Sequence, residues 1–82
     1  MNNTLYYHYR DITPYMEQQI EKHYTDKGYT VYCVFLWYQE KEDRFFVDIE
    51  VGNGTPQGYI HIRGLYDYKT LDKKYNFILS EF

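Results

Sequence analysis

The sequence has 82 residues, a single cysteine, and nine Lys and Arg against twelve Asp and Glu, which gives a net charge of -3. A chain this short predicts one domain, 1–82, that buries only about 60% of the surface its unfolded form exposes. The charge balance disfavours direct nucleic-acid binding, and the lone cysteine excludes an internal disulfide and fits a reducing cytoplasm. No apolar run approaches the ~18–20 residues that cross a bilayer, so we expect no membrane segment.

Tyrosine dominates the composition: twelve tyrosines, five phenylalanines and one tryptophan make 22% of the chain aromatic. Twelve tyrosines are too many to bury fully in so small a core. Tyrosine offers a large contact area and one hydrogen-bonding tip, and it is enriched at interfaces. The tyrosine excess has two interpretations. One is the codon bias of an AT-rich genome together with ordinary filling of the core, and the other is a binding surface lined by tyrosines.

The N-terminal third predicts a strand and then a helix. Alternating side chains from Leu5 to Arg10 are typical of a strand. Thr13 can cap a helix whose first position is Pro14, where the missing N–H costs nothing. Gly28, free to adopt a positive φ, predicts the end of this helix.

The segment from Tyr29 to Tyr38 predicts the central strand, since β-branched and aromatic residues fill it. Both sides of this strand are apolar, and the sequence leaves open which side faces the helix. One side carries Val31, Cys33, Phe35 and Trp37, and the other carries Tyr32, Val34, Leu36 and Tyr38. A charged turn, Gln39 to Asp43, connects it to a strand from Arg44 to Val51.

The C-terminal third begins with a turn rich in glycine, from Gly52 to Gly58, and a strand from Tyr59 to Arg63. The segment from Gly64 to Lys74 fits either a strand end or a helical turn. The alternation from Tyr75 to Phe82 predicts a last strand.

Apolar alternation predicts how the last two regular strands pair. Antiparallel pairing of Ile49 with Ile62 sets the apolar side chains of both strands on one face, and a register shifted by two residues also keeps the faces matched. The same register sets Glu50 opposite His61 and Asp48 opposite Arg63. The face that contains the isoleucines is the better candidate to pack against the helix. The other face, which mixes charged and aromatic side chains, is the candidate to face water or to contact a partner.

These elements predict an α+β fold: a small antiparallel sheet of four or five strands with one helix on one face, in the order β-α-β-β-β-β. One helix cannot cover two apolar sides of a sheet. We therefore expect part of the second side to meet a partner.

Candidate chemistry in the sequence is sparse. His61 with Glu50 or Asp48 could form an acid–base pair, but a cross-strand surface pair is the more ordinary interpretation. Cys33 lies in an apolar strand, where a thiol behaves as a small hydrophobic group. The histidines form no metal-binding motif. We expect no enzyme activity, no metal and no cofactor.

In length, AT-biased composition and absence of catalytic motifs, the chain is similar to small phage and mobile-element proteins that block host defences, including anti-CRISPR proteins. That resemblance implies a non-enzymatic interaction protein, plausible as an inhibitor of a host defence nuclease. Its acidic, tyrosine-rich surface would occupy the basic groove of a nucleic-acid enzyme. A structural or housekeeping domain that forms a homodimer through its sheet face is the alternative. The expected partner-binding residues are Tyr32, Tyr38, Glu40, Glu42, Asp43, Phe46, Asp48 and Glu50.

Overall fold

The computed structural model describes residues 8–77, which form two α-helices, three strands and a short 3-10 helix, Pro56–Gly58, between the second and third strands. In chain order the α-helices and strands are α1 (Tyr9–Thr25), β1 (Thr30–Gln39), β2 (Arg44–Gly52), β3 (Ile60–Tyr66) and α2 (Tyr68–Tyr75). The strands form one antiparallel sheet in the order β1-β2-β3. The α+β class is confirmed. The described part of the chain has three strands where four or five were predicted, and two α-helices where one was predicted. Its order of α-helices and strands is α-β-β-β-α, which differs from the predicted β-α-β-β-β-β.

The predicted strand from Leu5 to Arg10 is wrong where the structure describes it, because the chain is helical from Tyr9 onward. Residues 5–7 of that prediction lie outside the described residues. The Tyr9 ring packs with its centroid 5.3 Å from that of Tyr38 and 5.6 Å from that of Phe45. Tyr9 therefore serves the packing of the first helical turn.

The predicted helix start at Thr13 and Pro14 is also wrong. The Thr13 hydroxyl donates to the Tyr9 carbonyl at 2.9 Å, one turn back, and Pro14 lies inside α1. Proline has no N–H for the Arg10 carbonyl, which costs this helix one hydrogen bond. Burial of the apolar stripe that begins at Ile12 offsets that loss.

The predicted end of the helix is confirmed. Gly28 has a φ of 89°, which is the left-handed region that glycine adopts at helix C-termini. The Tyr29 N–H donates to the Tyr24 carbonyl at 3.0 Å, and the Gly28 N–H donates to the Thr25 carbonyl at 3.0 Å. This pair of bonds is a Schellman motif, and it turns the chain into β1.

The C-terminal prediction needs a larger correction. After β3 the chain forms α2, which Asp67 caps by accepting the Thr70 N–H at 2.8 Å. The predicted last strand from Tyr75 is wrong in its described part, because Tyr75 ends α2 and Asn76 has a φ of 55°. Residues 78–82 lie outside the described residues. Side-chain capping by Asp67 decides a segment whose apolar pattern was ambiguous.

The register between β2 and β3 is confirmed: Ile49 pairs with Ile62 and Glu50 with His61. The pairing of β1 with β2 contains an irregularity that simple alternation could not predict. Val31 pairs with Val51 and Cys33 with Glu50, so Tyr32 is an extra residue in a β-bulge. The bulge shifts the alternation of β1, so neither predicted set of side chains lies wholly on one face.

The helices cover one side of the sheet, which we call the inner face. Its buried side chains include Phe45, Val47 and Ile49 of β2, all fully inaccessible to water. Two buried tyrosines join the core through their hydroxyls, since the Oη atoms of Tyr24 and Tyr75 lie 2.9 Å apart. The complete buried cluster comprises Ile12, Met16, Ile20, Tyr24, Leu36, Phe45, Val47, Ile49, Val51, Leu71, Tyr75 and Phe77.

We expect Ile49→Ala to lower the free energy of unfolding by about 2–5 kcal/mol, because it removes buried methylene groups and leaves a cavity. The matched control is Leu65→Ala, which removes atoms from a side chain that is exposed on the other side of the sheet. Its effect should stay within about 0.5 kcal/mol. Urea unfolding followed by circular dichroism measures both, and equal effects would contradict the assignment of the two faces.

Candidate protein-interaction surface

The side of the sheet opposite the helices is the candidate site, and we call it the open face. Strand alternation and the observed register arrange its side chains in rows that cross the three strands. The first row is Trp37, Phe46 and Leu65; the second is Phe35, Asp48 and Arg63; the third is Cys33, Glu50 and His61. Tyr32 and Tyr59 lie beyond the third row.

The open face exposes large apolar side chains. Every large apolar side chain classed as exposed in residues 8–77 belongs to it: Tyr32 (58%), Phe35 (45%), Trp37 (60%), Tyr59 (49%) and Leu65 (47%). The Phe35 and Phe46 rings meet edge to face with centroids 6.3 Å apart. The end of the sheet near the β1–β2 turn is therefore an apolar surface.

Tyr32 reaches the open face because of the bulge and a neighbouring glycine. A Cβ atom on Gly52 would lie 3.1 Å from Cε2 of Tyr32 and 3.3 Å from its hydroxyl oxygen. Glycine at position 52 therefore lets the tyrosine ring lie close against the β2 backbone. Tyr32 covers that backbone with one side of its ring and leaves the other side to solvent.

The charged groups in the middle of the open face neutralise each other in part. The Asp48 carboxylate lies 2.9 Å from Nε2 of His61 and 3.9 Å from Nε of Arg63. The Arg63 guanidinium also lies 5.6 Å from the centroid of the Phe46 ring. His61 thus pairs diagonally with Asp48, although the register places it directly opposite Glu50.

Glu50 has a different contact. The Tyr59 hydroxyl donates to its Oε2 atom at 2.5 Å. This hydrogen bond, with smaller contributions from desolvation and from the Glu50 charge, raises the pKa of Tyr59 above its ordinary value. Among residues 8–77, no Lys or Arg forms an ion pair with Glu50, so its negative charge remains available.

The turn between β1 and β2 holds a second group of polar contacts. Glu40 Oε2 lies 2.8 Å from Nε2 of His8 and 3.2 Å from the Arg10 guanidinium. The Tyr38 hydroxyl donates to Asp43 Oδ1 at 2.6 Å. This bond, followed by desolvation and the Asp43 charge, raises the pKa of Tyr38 to about 12.

The structure brings together only some of the expected partner-binding residues. Phe46, Asp48 and Glu50 lie on the open face, with Tyr32 at its end. Tyr38 instead packs on the inner side, with its ring centroid 5.0 Å from that of Phe45. The remaining three, Glu40, Glu42 and Asp43, lie in the β1–β2 turn between the two sides.

The expected partner-binding residues omit four of the five exposed large apolar residues of the open face, namely Phe35, Trp37, Tyr59 and Leu65. The length of the turn could have identified the first two. A loop of four residues pairs Gln39 with Arg44, and this pairing places Trp37 opposite Phe46. Leu65 could not be assigned, because the end of its strand was undetermined.

The thiol and the imidazole of the open face, Cys33 and His61, lie far apart. Cys33 and His61 lie on strands separated by β2, so their backbones are about 9–10 Å apart. Desolvation, then the charges of Asp48 and Glu50, raise the pKa of the Cys33 thiol, which opposes thiolate formation. Cys33 is half-buried rather than part of the buried core. Within residues 8–77, no three His, Cys, Asp or Glu side chains group to hold a metal ion.

Comparison with protein-family models, with curated proteins and with solved structures finds no match to this chain. Neither helix of the described residues is long and apolar enough to cross a membrane. The surface must therefore be interpreted from its own geometry.

We expect Asp43→Asn to return the pKa of Tyr38 from about 12 toward its ordinary value of 10, because the carboxylate that holds its proton is gone. Asparagine tolerates the left-handed backbone at this position, where φ is 53°. The bond to Asp43 stabilises the fold fully below the unfolded pKa of about 10. The stabilisation is lost as pH rises through the folded value of about 12. Carbon-13 NMR of labelled tyrosine measures the titration, and an unchanged pKa would contradict the assigned cause.

Proposed function

We propose that this protein is a non-enzymatic interaction module that binds a protein partner through the open face. The observation that carries the proposal is the concentration of Tyr32, Phe35, Trp37, Tyr59 and Leu65, all about half-exposed, on one side of a three-stranded sheet. Monomeric proteins rarely leave a large apolar area in water unless it binds something.

The size of the apolar area supports the same conclusion. An aromatic side chain carries roughly 150–250 Å² of surface, so five large side chains at half exposure leave on the order of 500 Å² in water. This is comparable to the largest patch on a typical monomer, which is about 300–600 Å² and often functional. Trp37 and Tyr59 also belong to the residue types that dominate binding energy at interfaces.

The charges around the open face support a partner with a basic surface. Glu50 on the face and Glu42 in the adjoining turn have no Lys or Arg partner within residues 8–77. Their carboxylates would attract a cation-rich groove, such as that of a nucleic-acid enzyme, toward the apolar first row of Trp37, Phe46 and Leu65. An inhibitor of a host defence nuclease, of the anti-CRISPR kind, is the specific form of this proposal.

A binding role fits the polar groups better than a catalytic role does. The His61–Asp48 pair lies on a flat, exposed sheet face, and the nearest thiol is on the far strand. A catalytic base needs a nucleophile or substrate proton within hydrogen-bond reach. The raised pKa of Cys33 also disfavours the thiolate form of this nucleophile.

We expect Trp37→Ser to weaken partner binding by at least about 30-fold, as removal of a central interface aromatic does. The experiment captures candidate nucleases on immobilised protein and measures affinity at two salt concentrations. Lys69→Ser, exposed on α2, is the control and should leave affinity unchanged. Equal binding by wild type and the Trp37 variant would overturn the role of the open face, and affinity independent of salt would remove the basic-groove form.

The second candidate is a homodimer. The open face carries the apolar row of Trp37, Phe46 and Leu65, and it also carries the positive charge of Arg63 and the negative charge of Glu50. A face with charges of both signs could pack on the same face of a second copy. Light scattering coupled to size exclusion distinguishes the two candidates. An outside partner predicts a monomer at micromolar concentration. A dimer that Trp37→Ser dissociates would instead establish self-association through the open face.

A further inference from the structure

A groove separates α1 from the outer edge of β1 and adjoins the open face, with which it shares Tyr32, Cys33 and Trp37. Two adjoining hollows form it, and both are lined by Pro14 and Glu17. One has a volume of about 350 Å³ and extends past Glu21 toward Val31. The other, of about 220 Å³, extends past Leu36 toward Trp37. The groove thus follows nearly the whole length of β1.

The backbone of β1 lines this groove because β1 is an edge strand of the sheet in the described part of the chain. Its Leu36 N–H points outward, since it donates to Glu17 Oε2 at 2.9 Å across the groove. Backbone groups of a strand alternate in direction, so Val34 and Tyr38 point to the same edge as Leu36. No hydrogen bond from elsewhere in residues 8–77 reaches the N–H groups of these two residues.

The larger hollow of the groove is negatively charged, whereas the smaller one is also lined by Arg10, which forms an ion pair with Glu40. Glu17 and Glu21 both line the larger hollow, whose lining contains no Lys, Arg or His. Neither carboxylate forms an ion pair within residues 8–77. The field of Glu17 extends across the groove, since it contributes to the raised pKa of Cys33 on β1.

We propose that this groove binds an extended peptide bearing lysine or arginine, which adds as a fourth strand to the edge of β1. A peptide strand between a helix and a sheet edge gains affinity from main-chain hydrogen bonds and specificity from alternate side chains. Val31 to Tyr38 spans about 23 Å at 3.3 Å per residue, enough for a peptide of six or seven residues.

The Glu17–Leu36 bond gives the groove its selectivity. In the free protein the Glu17 carboxylate accepts a hydrogen bond from the Leu36 N–H. This contact protects the edge of β1 from non-selective pairing with other strands. A cationic side chain draws the carboxylate to itself and releases the N–H for a carbonyl of the peptide. A neutral or acidic peptide cannot make this exchange, so the groove discriminates by charge.

The test is a titration with an acetylated and amidated heptapeptide of alternating lysine and valine, followed by NMR of the backbone amides. We expect amide shifts at Val34, Leu36 and Tyr38, and slower hydrogen exchange at Val34 and Tyr38. Glu17→Gln keeps an acceptor for the Leu36 N–H but loses the charge, and it should weaken binding roughly fivefold. Glu21→Gln, at an exposed position, should weaken binding by less.

Glu42→Gln is the control, because it removes the same charge at the β1–β2 turn and outside both hollows of the groove. An equal loss of affinity in this variant would show general charge attraction and overturn the proposal. Equal binding of a heptapeptide with glutamate in place of lysine would also overturn it. So would amides of Val34 and Tyr38 that are protected before the peptide is added, since the chain itself or a second copy would then cover the edge.

The proposal for the groove and the proposal for the open face can be contradicted separately. Leu65→Ser alters the open face and lies two strands away from the groove, so it should leave affinity for the lysine–valine peptide unchanged. Loss of peptide binding in this variant would show that the peptide binds the open face instead.

Discussion

Burial of one side of the sheet is the constraint on which the molecule depends. Phe45, Val47 and Ile49 are wholly withdrawn from water, and both helices contribute side chains to the same cluster. Within residues 8–77, α1 and α2 both pack on the inner face, and no further α-helix covers the other side. Within the described residues, the open face is thus a direct result of how few helical residues this fold contains.

The tyrosine excess has a more ordinary explanation than a binding surface made of tyrosine. Tyr24 and Tyr75 are buried, and six further tyrosines are half-buried against the core: Tyr9, Tyr15, Tyr29, Tyr38, Tyr66 and Tyr68. Their rings fill the margin between core and solvent and keep their hydroxyls near polar partners, as Tyr15 does with the Phe77 carbonyl at 2.8 Å. The open face depends as much on phenylalanine, tryptophan and leucine as on Tyr32 and Tyr59.

The parts of the fold predicted from the sequence are those in which local chemistry and tertiary packing agree. Gly28 ends α1 because a positive φ is needed there, and the isoleucines of β2 and β3 determine their register. The predictions were wrong at Tyr9 and Tyr75, where alternating aromatics suggested strands. Tyr9 is held by a long-range contact with Tyr38, whereas the segment that ends at Tyr75 begins with the local Asp67 cap. The candidate surface was predicted only in part, since the places of Phe35 and Trp37 depend on the register that the β1–β2 turn determines.

That bulge makes position 32 unusual. The ladder between β1 and β2 proceeds from Val31 to Cys33 against consecutive residues of β2, so Tyr32 is surplus to the pairing. Its ring nevertheless shields the backbone at Gly52. A chain shortened by this one amino acid would retain a continuous two-stranded ladder but would uncover the glycine, so the role of Tyr32 belongs to the surface rather than to the architecture.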